Sequence, residues 1–224
     1  MDPSLNLPMF YFLSMLAAID LTLTTSTMTK LLSIFWFRSH EIDFEGCVAQ
    51  MFFIHSFSTV ESGVLFTMAF HQYLAICKPL HYSAILTGPT IAKLGVAAAV
   101  RGITIIAPLT CVVTSLSYCG PRVIHHSYCE HVSVVELACG DTRPNSIYGI
   151  TAATIVVGSD STLIAVSYML ILREVIGVSS TEARLKSFGT CGSHTGVILI
   201  FYMPGLFSFY TQHWGQRIPV HLHI

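Results

Sequence analysis

The chain has 224 residues, of which 53% are hydrophobic and only 10% charged, where an ordinary soluble protein is roughly a quarter charged. Water is therefore not the solvent for most of its surface, and a mean hydropathy of +0.66 over the whole length points to several apolar segments, not one anchor. A net charge of -1 and a pI near 6.8 give no basic field, which excludes nucleic acid as a partner.

The opening Met1-Asp2-Pro3-Ser4 has no basic run and no cleavage signal, so no signal peptide is expected and the first span directs its own insertion. Five mostly apolar stretches follow, at 9–35, 48–76, 91–117, 147–172 and 192–210. Each is long enough to cross a hydrocarbon core at about 1.5 Å per helical residue. Arg38 to Glu45 and Lys78 to Thr90 read as short polar connections, and Tyr118 to Ser146 as one long loop carrying Pro, Gly and three cysteines. Small and hydroxylated residues recur inside the spans, as in Thr22 to Thr29 and Ala97 to Ala99, which suits close helix approach in a membrane. The expectation is an all-α membrane bundle. From Arg217 to Ile224 a polar loop passes into a new apolar run, which reads as a further span begun and unfinished.

Basic residues orient this bundle weakly: Lys78, Lys93, Arg173, Arg184 and Lys186 fall on one side, Arg38, Arg122, Arg143 and Arg217 on the other. Cys47, Cys119, Cys129 and Cys139 share one face, which favours an oxidising compartment there and leaves Met1 in the cytosol. Four thiols allow three pairings. Cys77, Cys111 and Cys191 fall within the membrane or on the cytosolic side and read as free thiols. Cys129, His131, His125 and His126 have metal-ligand chemistry, but loop histidines beside cysteines are more often bystanders, and no metal or cofactor is expected.

Asp20, Glu61 and Asp160 are carboxylates inside apolar spans and need partners there; Asp160 reads as a packing group. Gly189-Thr190-Cys191-Gly192-Ser193-His194 brings Cys, Ser and His together without the Gly-x-Ser-x-Gly elbow, and Gly158-Ser159-Asp160 lacks the surroundings of an intramembrane aspartyl protease. An enzyme is not expected. Buried carboxylates also line ion paths, but the inverted repeat of a transporter is missing, which leaves a channel or transporter as the runner-up.

Pro8-Met9-Phe10-Tyr11-Phe12-Leu13-Ser14 with Asp20 comes first, and Met68-Ala69-Phe70-His71-Gln72-Tyr73-Leu74-Ala75-Ile76-Cys77 runs on into Lys78-Pro79-Leu80-His81-Tyr82. Ser167-Tyr168 and then Lys186-Ser187-Phe188-Gly189-Thr190-Cys191-Gly192-Ser193-His194 follow. In this order the strings resemble those of the odorant-receptor family of seven-helix, G-protein-coupled receptors, over nearly the whole chain. The resemblance makes the five spans helices two to six and likens Ile218 to Ile224 to the first turns of helix seven. The implied fold is a rhodopsin-like bundle truncated to about five spans plus the start of another, without helix one. His55, Glu61 and Phe201-Tyr202-Met203-Pro204 look most like the fish-like, class I branch. No Asn-x-Ser/Thr sequon occurs, which fits loss of the usual glycosylated N-terminal tail.

The resemblance also implies roles. Cys47 pairs with Cys129 and Cys119 with Cys139, and Asp20 with Glu61 forms a polar centre that could bind sodium. His55, Ser58, Thr59, Tyr202, Leu206, Phe209 and His213 line a cavity for a small odorant. There His55 and Tyr202 would take a polar head and Leu206 and Phe209 an alkyl body, so amphipathic acids or alcohols are the implied ligands. Where many class I sequences place an arginine, Gln212-His213-Trp214-Gly215 offers only the titratable His213.

His71, Gln72, Tyr73, Tyr168, Lys186 and His194 mark the side that meets a heterotrimeric G protein. His71-Gln72-Tyr73 stands where the family has Asp-Arg-Tyr, and glutamine has no guanidinium fork, so no G-protein activation is expected. The alternative is a non-signalling fragment or decayed gene product that associates with complete receptors. Lipid is the solvent partner, and the location is the plasma membrane if exported, with retention in the endoplasmic reticulum expected where apolar faces stay uncovered.

Overall fold

The computed structural model describes residues 7–37, 41–119, 124, 128–177 and 180–214. Seven helices occur among them: α1 (Leu7–Phe37), α2 (Phe44–Cys77), α3 (Pro79–Ile85), α4 (Gly88–Thr114), α5 (His131–Val135), α6 (Arg143–Gly177) and α7 (Thr181–Trp214). The expected spans fall on α1, α2, α4, α6 and α7, although 91–117 runs past the end of α4 at Thr114.

Local chemistry sets these boundaries. In α1, Pro8 sits in the first turn, where its missing N–H costs nothing. The hydroxyls of Thr22, Thr25, Ser26, Thr27 and Thr29 each donate to the carbonyl four residues earlier, so they face an apolar solvent already satisfied. α2 stops at Cys77 because Pro79 cannot continue it, and the same proline opens α3. Lys78 to Thr90 is thus not a plain polar connection. Tyr82 of α3 is buried with Leu74 and Leu86, which anchors this short helix to the end of α2.

α7 begins at Thr181, well before the expected start at 192. Residues 181–191 are too polar to register as an apolar span, yet they contain no proline and one glycine, Gly189, so the helix extends beyond the apolar stretch. The long loop likewise holds α5 and an antiparallel bridge between Tyr118 and Ala138.

α2 is the central helix, packed against α1, α4, α6 and α7. Its buried face carries Gln50, Ser56, Thr59, Glu61, Ser62, Thr67, His71 and Gln72. Pro8–Phe37, Gly88–Thr114 and Arg143–Gly177 are long and apolar enough to cross a membrane by length and composition. Of the five expected spans, those on α2 and α7 are not among these three; in α2 the polar groups face protein, not lipid. The main apolar core joins Phe12, Leu16 and Ile19 of α1 to Val64, Leu65, Met68 and Ala69 of α2, with Ile91, Ile164 and Tyr202. Leu21, Phe35, Trp36, Ile155, Met169 and Ile200 stand exposed on the outside, as lipid-facing residues do. α2 and α4 approach closely at Gly102, where a Cβ would lie 2.9 Å from the Ser56 carbonyl oxygen, so only glycine fits.

Candidate functional site

Three polar layers cross the bundle, and the outermost is the tethered loop. Disulfides join Cys47 to Cys129 and Cys119 to Cys139, with Cα atoms 5.4 and 5.9 Å apart, and Cys77, Cys111 and Cys191 carry free thiols. Cys129 is consumed by its bridge. His125 and His126 lie outside the described residues. Gln50 ties three segments: its Nε2 donates to the Ser26 carbonyl of α1 at 2.8 Å, and its Oε1 accepts from the Cys129 amide at 3.1 Å.

His131 of α5 is buried, with Nε2 3.0 Å from Asn145 Oδ1. Its ring lies so close to Gly149 that a Cβ there would come within 2.8 Å of it. Burial lowers the His131 pKa from the ordinary imidazole value, partly opposed by the Asn145 bond. Burial and the neighbouring Glu130 push Tyr128 up to about 12.

A pH dependence follows. The unfolded loop takes up a proton at the ordinary imidazole value and the docked loop resists it, so docking is fully stable above that value and weakens as pH falls through it. Protease nicking of the loop, measured between pH 8 and 5, is expected to accelerate at the acid end, and His131→Gln is expected to flatten the profile. An unchanged profile in that variant would refute the assignment.

The middle layer is an ion pair. Arg101 of α4 donates through both terminal nitrogens to Asp160 of α6, at 2.7 Å to Oδ1 and 2.5 Å to Oδ2. Ser62 of α2 donates to Asp160 Oδ2 at 2.5 Å, and its oxygen lies 2.7 Å from the Tyr202 hydroxyl of α7. Arg101 also reaches the Thr59 carbonyl at 3.4 Å. One carboxylate that is 1% exposed thus gathers four helices. Asp160 is a packing group, as expected, but an ion-paired one, and the sequence reading passed over Arg101. The available signal was Arg101, deeper than Lys93 inside the apolar run of α4, and an anion inside α6, which in a membrane find each other.

Glu61 of α2 is buried and has the exposed Asp20 of α1 as its carboxylate neighbour. Among the described residues no group of three or more His, Cys, Asp and Glu side chains is placed to hold a metal ion.

The innermost layer contains the residues expected to face a G protein. His71 Nε2 lies 2.6 Å from the Tyr82 hydroxyl, and its ring meets Phe12 edge-on at 5.9 Å. Gln72 Nε2 donates to the Thr190 carbonyl at 3.5 Å, and its Oε1 accepts from Tyr168 at 3.1 Å. The Tyr168 hydroxyl is 2.5 Å from His194 Nδ1. Tyr73 stacks on Phe70, and the Lys186 side chain lies outside the described residues.

The implied ligand set is only partly assembled. His55, Thr59 and Ser62 follow at one-turn intervals along α2, and Ser62 touches Tyr202. His55 Nε2 is buried without a hydrogen-bond partner. Ser58 is half-buried, Leu206 is exposed, and the side chains of Phe209 and His213 lie outside the described residues. Two cavities lie elsewhere. An open groove of about 690 Å³ runs along Ala92 to Ile105 of α4, and a polar pocket of about 340 Å³ lies between Ser26 and Lys30 of α1 and Gln50 of α2.

Comparison with known proteins places this arrangement. The family model described as "Olfactory receptor" matches residues 1–224. Human olfactory receptor 52P1 is 52% identical over 223 residues, covering 100% of this chain and 70% of that protein. Human olfactory receptor 52K2 is 51% identical, with 100% and 71% covered, and human olfactory receptor 51E2 is 51% identical over 203 residues, with 91% and 63% covered. The helical architecture, the two disulfides and a family match along the full length agree: this chain belongs to the olfactory receptor family, multi-pass membrane proteins of the G-protein-coupled class that are not enzymes.

Proposed function

We propose that this chain binds small amphipathic molecules, carboxylic acids or alcohols, between the outer halves of α2 and α7, and that as written it does not activate a G protein. His55 Nε2, buried and without a partner, carries the ligand reading. An unmet polar atom in an apolar site is costly until a ligand oxygen completes it. From His55 to Ser62 the helix rises about 10 Å, room for a short chain that ends against Tyr202. The polar head would meet His55 and the titratable His213, with Ser58, Thr59, Leu206 and Phe209 along the body. α1, α2, α4, α6 and α7 would each cross the bilayer, with both disulfides on the non-cytosolic side of the plasma membrane.

The signalling half of the proposal rests on Gln72. It stands where an arginine would supply the charged fork for a G protein, and both its polar atoms are already engaged within the bundle. Cells expressing the chain and challenged with short-chain acids and alcohols are expected to produce no cyclic AMP above an empty-vector control. Ligand-dependent production would overturn this half.

A further inference from the structure

We infer that the open groove on the outer face of α4 seats one acyl chain of an anionic phospholipid, with Lys93 holding the phosphate end. The site shares no residue with the proposed odorant cavity.

Two rows of side chains, each spaced by one helical turn along α4, build the groove: Ala92, Val96 and Val100 form one, and Lys93, Ala97 and Arg101 the other. Ala92 and Ala97 are the short side chains that leave the space, and Val96 and Val100 stand exposed beside it. The groove presents an apolar surface although cations and a threonine border it. The Arg101 guanidinium is turned toward Asp160 of α6, and the Thr104 hydroxyl donates to the Val100 carbonyl at 2.7 Å, so methylene and methyl groups are what remain. Where the groove ends, the Tyr148 hydroxyl of α6 donates to the Ile105 carbonyl at 2.9 Å and ties the two helices together.

Length and charge select the occupant. From Lys93 to Ile105 the helix rises about 18 Å, a little over half of the ~30 Å hydrocarbon core, so a chain laid there reaches from one headgroup layer to the bilayer centre. Lys93 is exposed, and among the described residues no carboxylate pairs with it. It lies in the second turn of α4, near the positive end of the helix dipole. A phosphate there is attracted, whereas an uncharged sterol gains nothing from the ammonium and a second copy of α4 would set one Lys93 against another. α4 runs from this end to the disulfide-bonded loop, so in the proposed orientation the leaflet is the cytosolic one, which carries the anionic lipids.

The test is photocrosslinking of the full chain in phosphatidylcholine nanodiscs containing a little phosphatidylserine with a diazirine along its acyl chain, the adducts being mapped by mass spectrometry. Adducts are expected on residues 96–105 of α4. The same diazirine chain on phosphatidylcholine is expected to label them about five-fold less, the equivalent of ~1 kcal/mol from one cation near the membrane surface. Lys93→Gln should bring phosphatidylserine down to the phosphatidylcholine level and Lys93→Arg should keep the preference; the position is exposed, so neither disturbs packing. Ala97→Leu, which fills the groove, should lower labelling by both lipids. Equal labelling by the two headgroups, or a preference that survives Lys93→Gln, would overturn the site. So would labelling displaced by cholesterol and not by unlabelled phosphatidylserine, or a dimer that shields α4 from both lipids.

Discussion

Asp160→Ala is expected to be among the most damaging single substitutions in the chain. It leaves the Arg101 guanidinium without its two charge-assisted bonds in an apolar layer and leaves Ser62 without its acceptor. Removing one partner of a buried pair costs about 3 to 5 kcal/mol, and the lower end applies because the Arg101 side chain is 33% exposed. Thermal unfolding in detergent, read by circular dichroism, should show a markedly less stable chain. Replacing Arg101 and Asp160 together with leucine should recover much of the loss, since two apolar groups leave neither charge stranded. A double variant as unstable as Asp160→Ala would show that the pair is not the source of the effect.

Loss of the Cys47–Cys129 bridge is the second large effect. It closes 82 residues and pins the loop to the outer end of α2, beside the Gln50 contacts that reach α1. Cys119–Cys139 closes only 20 residues within the loop itself. In the chain-entropy view both bridges stabilise by about 2 to 4 kcal/mol, the longer loop more. Cys47→Ser should therefore lower the midpoint of unfolding further than Cys119→Ser. The reverse order would mean that the loop's internal fold, not its attachment to α2, limits stability.

The fold was legible because the bilayer imposes a crude rule: long apolar stretches become helices, and all five fell on helices. What composition missed was helix without hydrophobicity. Residues 181–191 and Pro79–Ile85 are too polar to register as spans, and they are held by helix propensity and by burial of Tyr82. The site was legible to different degrees. The cysteine pairing followed from resemblance, since four thiols on one face leave three arrangements open. Arg101 was overlooked because basic residues were weighed only at span ends, to orient the bundle. The partners of Gln72 were out of reach for another reason. Tyr168 and His194 were marked singly, and only the packing of α6 and α7 against α2 brings Tyr168 to the Gln72 amide and His194 to the Tyr168 hydroxyl.

Binding is the most direct test of the central proposal. Saturation-transfer NMR on the chain in nanodiscs, with short-chain carboxylic acids and alcohols as probes, should give a saturable signal that His55→Ala weakens about ten-fold, the equivalent of ~1.4 kcal/mol for one hydrogen bond to a charged or strongly polar group. No saturable binding by the folded chain, or binding indifferent to His55→Ala, would contradict the placement of the ligand between α2 and α7.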